Sequence, residues 1–247
     1  MRVAIMQPTF LPWLGYLNMM ASVDLFVFLD NVQISPKSFM TRNRIPGPNN
    51  SFLWLNLHEE KSKTLGDRFL NTTGLLKPEE DYNSISRVIK SRYSQSRDQE
   101  ELLKNLEINI SDSKNISDLN IKMILFLCEK FNIIVRTIRA SELNVTGAKS
   151  EGVLNILNAV GWSDYLVAPG SVTYMTEDSS WLSHEKHLEV YQYEPMPYEH
   201  SKNEIFIPYM SSIDALLSEG ARGAIQTMKK GSRESIKWHK YIASDKS

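Results

Sequence analysis

The first thirty or so residues constrain the fold more than any other part of the chain. Arg2–Met6 is a short apolar run, residues 14–21 carry apolar side chains at helical spacing, and residues 24–29 form a second run rich in β-forming residues. A strand, a helix and a strand within about thirty residues are typical of a βαβ unit, in which the two strands lie parallel. This order predicts an α/β protein with a parallel, Rossmann-like sheet.

The composition of the chain argues against DNA as a partner and indicates a cytoplasmic protein. Of the 247 residues 42% are hydrophobic, and 28 Lys and Arg against 29 Asp and Glu give a net charge of −1, so no overall basic field would hold DNA. The single cysteine, Cys128, lies in an apolar run, which indicates a buried thiol in a cytoplasmic protein. Residues 10–29 are apolar but are interrupted by Pro12, Asn18 and Asp24, so we expect no membrane span.

Beyond residue 29 the α/β pattern is interrupted and then returns. Residues 30–50 have no apolar period and contain three prolines, which predicts a long loop. Helical spacing over residues 77–131 predicts a helical insert, and residues 211–241 predict three further helices. We therefore expect an α/β, nucleotide-binding-like core of residues 1–76 and 132–210, a helical insert of residues 77–131, and a helical C-terminal segment of residues 211–247.

The turn after the first strand is the first candidate site. Gln7 ends the strand, and Pro12 and Gly15 lead into the helix. Such a turn places backbone N–H groups and a helix dipole at the carboxyl end of the sheet, where phosphates and carboxylates bind. A hydrophobic loop that only packs fits the composition equally well, but a polar amide at a strand end needs a partner and favours a site.

A second candidate begins where the next strand ends. A carboxylate there can serve as a general base, and the three cations that follow within eight residues can bind a diphosphate through charge-assisted bonds. A solvated basic loop is the alternative interpretation. The candidate base is Asp30, and the candidate binding residues are Asn31, Gln33, Lys37, Arg42, Asn43 and Arg44.

Two further turns carry a weaker signal for an anion. Lys149 opens a helix, and Gly170 and Ser171 follow another short apolar run. Backbone N–H groups at a helix start bind anions, although a simple helix cap is the stronger interpretation at Lys149. We predict that the turn at Gly170 shares one cleft with the ends of the first two strands, because ligands in open α/β sheets bind beyond the carboxyl ends of the strands.

A polar cluster near the C-terminal segment contains the candidate catalytic histidine. Tyr198 and His200 precede Asp214, which also fits an ordinary acid in the first turn of a helix. An imidazole titrates near neutrality and could deprotonate an amine. No metal site is predicted, because no third ligand follows His184 and His187 at metal spacing.

Four blocks of sequence resemble a known family. They read MRVAIMQPTFLPWLGYL, VDLFVFLDNVQ, KSFMTRNRI and PYEHSKNEIFIPYMSSIDALLSEG. In these blocks the chain is similar to the WbqC-like family of bacterial polysaccharide-cluster proteins, over nearly its whole length. The resemblance implies a cytoplasmic role in making O-antigen lipopolysaccharide or a related surface glycan. The implied activity is transfer of an amino acid, glycine in particular, onto an amino sugar.

A more distant likeness concerns residues 10–16. They lie where nucleotidylyl transferases and pantothenate synthetase carry a proline followed by His-x-Gly-His. Trp13 and Tyr16 occupy the two histidine positions here, so the likeness implies a shared scaffold without the histidines that stabilise phosphate charge.

The resemblance, together with these candidate sites, implies a transferase that attaches an amino acid to the amine of a nucleotide-linked amino sugar. The donor is a free amino acid activated with ATP as cofactor, a thioester carrier or an aminoacyl-tRNA. The alternatives are a nucleotidylyl transferase and a noncatalytic nucleotide-sugar-binding protein. The roles are assigned as follows: Gln7, Tyr16 and Asn31 shape the pocket, Lys37, Arg42 and Arg44 hold the nucleotide phosphates, and Asp30 or His200 accepts the amine proton.

Overall fold

A six-stranded sheet forms the centre of the computed structural model, which describes residues 1–61, 68–198 and 205–244. The spatial order is β5-β2-β1-β6-β7-β8. The first five strands are parallel, and β8 pairs antiparallel with β7 at one edge. The bounds are β1 Arg2–Met6, β2 Leu25–Phe28, β5 Arg136–Arg139, β6 Asp164–Val167, β7 Leu188–Val190 and β8 Ile236–Lys237.

Helices cover both faces of the sheet because alternate strand residues are apolar on both sides. Ala4, Phe26 and Leu166 point to one face, which packs on α1 and on α2, α3, α4 and α7. Val3 and Val27 point to the other, which packs on α5, α6 and α8. The helices are α1 Leu14–Met20, α2 Pro78–Arg92, α3 Gln99–Asp112, α4 Ile116–Lys130, α5 Lys149–Val160, α6 Val172–Thr176, α7 Ser212–Lys230 and α8 Trp238–Ser244.

The strand order confirms the Rossmann-like prediction. The chain runs outward from β1 through β2 to β5, and then returns to the other side of β1 at β6. The order therefore reverses between β1 and β6, and such a switch point is where open α/β sheets bind ligands. The helices of residues 77–131 share one hydrophobic core with β1 and β2.

The prediction that residues 30–50 form one long loop is partly wrong. Arg42–Pro46 forms a strand, β3, which pairs antiparallel with β4, Phe52–Asn56, in a separate two-stranded hairpin. Alternate side chains of β3 point inward and outward, as in any strand. The sequence does not show this alternation as apolar and polar residues, because Asn43 is one of the inward residues and arginines hold the outward positions.

The C-terminal prediction is also corrected in detail. The first two predicted helices, residues 211–218 and 222–229, are confirmed as the two parts of α7, which are separated at Gly220 by a non-helical backbone with φ of +71°. The third begins as the short strand β8 and becomes helical only at Trp238. Within the described ranges, no helix is both long enough and apolar enough to cross a membrane. Burial raises the pKa of the Cys128 thiol to about 12, as fits an inert core cysteine.

Candidate functional site

The carboxyl ends of β1 and β2 lie side by side, as predicted. Met6 is opposite Phe28 in the sheet, and the Leu29 N–H donates to the Met6 carbonyl at 2.8 Å. The next residue of the first strand end, Gln7, is exposed, and so is Asn31 beyond the second. Two side-chain amides therefore reach solvent at the edge of the sheet beside the switch point.

The turn at residues 169–171 belongs to the same edge. It follows β6, which is the neighbour of β1 on the other side. Gly170 is exposed, and a Cβ placed on it would have no atom within 4 Å. Ser171 is half-buried beside it, and Lys149 is exposed as the first residue of α5, which follows β5. Whether these turns enclose one cleft with Gln7 stays a prediction.

Residues 7–13, the first turn, are held by buried side chains from distant elements. Asn120 donates to the Pro8 carbonyl at 2.9 Å. Asn43 donates to two successive carbonyls, Phe10 at 2.9 Å and Leu11 at 2.8 Å. These bonds satisfy carbonyls that burial removes from water.

Two serines at the start of α7 also hydrogen-bond to the first turn. Ser211 Oγ donates to the Leu11 carbonyl at 2.6 Å, and the Ser212 N–H donates to the Pro12 carbonyl at 2.8 Å. Leu11 is left-handed, with φ of +44°, a strained state for a branched residue that persists only where surrounding contacts fix it. The first turn is therefore rigid, and the backbone that carries the Gln7 side chain is fixed.

The prediction that Pro12, Gly15 and Tyr16 contact a ligand is corrected. Pro12 is buried, and the Trp13 ring lies against Gly15. Tyr16 is 1% exposed, packs on Phe26, and donates its hydroxyl to the Gln7 carbonyl at 3.2 Å. Burial also raises the pKa of Tyr16 well above its usual value. Tyr16 therefore supports the first turn from within the core.

We expect Gly15→Ala to lower the free energy of unfolding by about 2 kcal/mol, because overpacking a core costs energy of that order. A Cβ at this position would lie 2.2 Å from the Trp13 ring, which is itself packed on Tyr193 and Tyr209. Gly170→Ala is the matched control, since a Cβ there meets open space. Urea unfolding followed by tryptophan fluorescence measures both variants, and equal stability would contradict this account of Gly15.

Asp30 is a buried structural carboxylate, which corrects its predicted role as a general base. Its side chain is 1% exposed, and its two oxygens accept from the Ser141 N–H at 2.9 Å and the Ser141 hydroxyl at 2.6 Å. Ser141 follows β5, so the carboxylate ties together the ends of two neighbouring strands. Gln33 is exposed and pairs through its backbone with Phe69.

The hairpin places Asn43 and the two neighbouring arginines, which the sequence groups together, on opposite faces. Asn43 points inward and is 3% exposed, bonded to the first turn. Arg42 and Arg44 point to the opposite face, where each guanidinium lies over an aromatic ring of β4. Lys37 is exposed, and its carbonyl accepts from Arg42 Nε at 3.0 Å. Asn43 is therefore a structural residue, and the arginines do not share a site with it.

Asp214 is buried beneath two tyrosines. Its carboxylate is 0% exposed and accepts from the Tyr93 and Tyr198 hydroxyls, each at 2.6 Å. Burial first, and then the negative charge of Asp214, raises the pKa of both tyrosines well above the usual value. Tyr198 and Asp214 are therefore brought together as predicted, but as a buried group. The candidate His200 lies outside the described residues.

Sequence reasoning missed two residues that hold the site. Asn120 interrupts the apolar stripe of α4, and a polar residue at a core position was the available signal. The Tyr191 hydroxyl oxygen lies 2.8 Å from both the Gly15 carbonyl and Asn18 Oδ1, and its one proton is donated to one of these two acceptors. Nothing local in the sequence marks Tyr191, because its partners lie more than 170 residues away.

Comparison with known proteins places these features in a wider group. A model of the WbqC-like protein family matches residues 7–225, a range that contains the first turn, the hairpin and the Asp214 cluster. The uncharacterized protein Rv1507c of Mycobacterium tuberculosis (strain ATCC 25618 / H37Rv) is 23% identical over 178 residues, which is 71% of this chain and 76% of that protein. No solved structure matches the chain significantly.

Proposed function

Because the chain belongs to the WbqC-like protein family, we propose that it is a transferase that attaches an amino acid to the amine of a nucleotide-linked amino sugar. Glycine is the first amino acid to test, and the product would enter O-antigen or another surface glycan made in the cytoplasm. These specifics rest on the sequence resemblance described above.

The observation that carries the proposal is the sheet edge at the switch point. The exposed amides of Gln7 and Asn31 lie just beyond the ends of two neighbouring strands. Buried hydrogen bonds hold the backbone of the first turn rigid beside them. Rigid positioning of a nucleophile and an acyl group is most of what amide formation requires. Amide groups suit the hydroxyl, amine and carbonyl groups of a sugar and an acyl donor, since they both donate and accept hydrogen bonds.

We assign the nucleotide phosphates to the same sheet edge, at the start of α5 and the turn after β6. Lys149 is exposed at the start of the 12-residue helix α5, and a cation together with the helix dipole favours an anion. Gly170, on the turn after β6, has open space around it at the same sheet edge. This assignment replaces the phosphate role predicted for Arg42 and Arg44, which face away from Asn43 and the first turn.

The proposed amide-forming step balances for each donor. Where the donor is a free amino acid with ATP, its carboxylate first attacks the α-phosphate, which forms an aminoacyl adenylate and releases pyrophosphate. The neutral sugar amine attacks the acyl carbonyl, a C–N bond forms, and the bond to the leaving group breaks. AMP, a thiol or a ribose hydroxyl leaves, depending on the donor, and a base takes the proton that the amine loses. Asp30 is too buried to act directly, so His200 is the residue proposed as the base.

Two other activities fit less well. Nucleotidylyl transfer would need groups that stabilise phosphate charge at the positions of Trp13 and Tyr16, and both side chains pack inside the fold. A noncatalytic nucleotide-sugar-binding protein needs only the sheet edge. Mass spectrometry of nucleotide-linked amino sugars incubated with glycine and ATP, and then with aminoacyl donors, separates the three. Pyrophosphate release without amide would favour nucleotidylyl transfer, and binding without turnover under every donor would favour a binding protein.

We expect Gln7→Ala and Asn31→Ala each to lower kcat/KM by roughly a hundredfold, because loss of a positioning contact misplaces the reacting groups. Both side chains are exposed, so the free energy of unfolding should stay within about 0.5 kcal/mol of wild type. Gln226→Ala, which removes an exposed amide from α7, is the matched control. Wild-type turnover in both edge variants would refute the site.

A further inference from the structure

The outward side of the β3–β4 hairpin is an exposed surface of alternating arginine and aromatic side chains. The outer hairpin face consists of Phe39, Arg42, Arg44, Phe52 and Trp54. The Arg42 guanidinium lies 3.9 Å from the Trp54 ring centroid, and that of Arg44 lies 4.9 Å from the Phe52 centroid. The Phe52 and Phe39 rings flank Trp54 at 5.6 and 6.2 Å.

Two of the aromatic rings on this face are exposed to solvent. Phe39 is 46% and Phe52 41% exposed, which is unusual for large apolar side chains grouped on one surface. Arg42 and Arg44 are half-buried, and exposed Lys37 adds a third cation next to Arg42. Aromatic faces beside cations bind groups that are flat and negatively charged.

The shape of the face favours a strand over a small molecule. Small-molecule sites are concave and enclose most of their ligand. The cavities of about 410–680 Å³ in the described part of the chain are lined by other elements, such as the Arg92–Asp98 turn with the bend of α7. The open hairpin instead offers two five-residue strands, on which successive bases of a single strand can stack.

We propose that the outer hairpin face binds the single-stranded 3′ end of an aminoacylated RNA, which is then the acyl donor. This inference rests on the proposed function for its role but not for the binding itself. The hairpin packs on the first turn, where the Phe10 N–H donates to the Phe39 carbonyl at 2.8 Å and Asn43 holds the Phe10 and Leu11 carbonyls. The outer hairpin face lies on the opposite side of these two strands from the first turn. Phe39 connects the two, because its ring lies beside Trp54 and its carbonyl accepts from the Phe10 N–H.

The chemistry of such a donor is complete without another reactant. The sugar amine attacks the ester carbonyl, the C–N bond forms, and the ester C–O bond breaks. The electron pair of that bond leaves with the ribose oxygen, which takes up a proton, while the amine loses one. No nucleotide is hydrolysed in this step.

Fluorescence anisotropy with a labelled single-stranded RNA hexamer ending in CCA tests the binding. We expect Phe52→Ala and Arg44→Ala each to weaken the Kd about tenfold, the scale of one lost stacking contact. Tyr174→Ala and Arg222→Ala are matched controls, since they remove an exposed aromatic ring and an exposed cation from other elements, α6 and α7. Three cations should give a slope of log affinity against log salt of about −2.

Each outcome separates this inference from the proposed function. Binding of the RNA that is lost in the hairpin variants and kept in the controls supports the inference, whatever the turnover assay shows. Equal binding in all variants, or hairpin-dependent binding of a nucleoside diphosphate without binding of the RNA, overturns it. Amide formation from glycine and ATP alone would preserve the proposed function and overturn the RNA donor.

Discussion

Replacing Asn43 by alanine is expected to lower the free energy of unfolding by about 4 kcal/mol. The side chain is 3% exposed, donates to the Phe10 and Leu11 carbonyls, and accepts from the Arg44 N–H at 2.8 Å. Each buried polar group left without a partner costs about 1–3 kcal/mol. Because the same bonds hold the strained Leu11, the first turn should also lose its fixed shape. Urea unfolding measures the stability.

Two further variants isolate the hydrogen bonds at Asn43. Asn43→Asp has nearly the same shape but has no N–H donors, so it should destabilise the protein at least as much as Asn43→Ala. This comparison removes the lost volume as an explanation. Asn56→Ala, an exposed amide on the paired strand, should change the free energy of unfolding by less than about 0.5 kcal/mol. A stable Asn43→Asp protein would show that the two carbonyls do not depend on this amide.

Asp214→Ala is expected to cost a similar amount, about 4 kcal/mol. The variant leaves the buried hydroxyls of Tyr93 and Tyr198 without their acceptor and opens a cavity at the start of α7. It also disconnects the end of α2 from residues near the first turn, because Asp214 lies two residues after Ser212. Chemical unfolding followed by circular dichroism gives the stability.

The tyrosines supply the control for Asp214. Tyr93→Phe and Tyr198→Phe should each cost about 1–2 kcal/mol, since each leaves one carboxylate oxygen short of a donor. Combining both with Asp214→Ala should recover part of the loss, because no buried hydroxyl then lacks a partner. Simple addition of the three single effects would mean that hydrogen bonding does not couple this group.

The accuracy of the sequence predictions follows the range of the interactions behind them. β1, α1 and β2 were predicted within two residues of their bounds, since apolar periodicity over a few residues decides whether a segment packs as strand or helix. The strand at residues 52–57 was predicted, but its partner β3 was missed because its outward positions carry Arg42 and Arg44, whose partners Trp54 and Phe52 lie at least eight residues farther along the chain.

The sequence by itself determined the fold class, the first parallel strand pair with its connecting helix, and the polar residues at the strand ends, because short-range pattern and chain connectivity decide all three. Only the tertiary structure decided which polar residues face solvent. Asn120 is 112 residues from the Pro8 carbonyl that it binds, Tyr93 is 121 from Asp214, and Ser211 is 200 from Leu11. The same amide or carboxylate is a binding group when exposed and a structural one when the fold brings partners to it. Gln7 and Asn31 thus remain at the surface of the site, while Asn43, Asp30 and Asp214 support it from within.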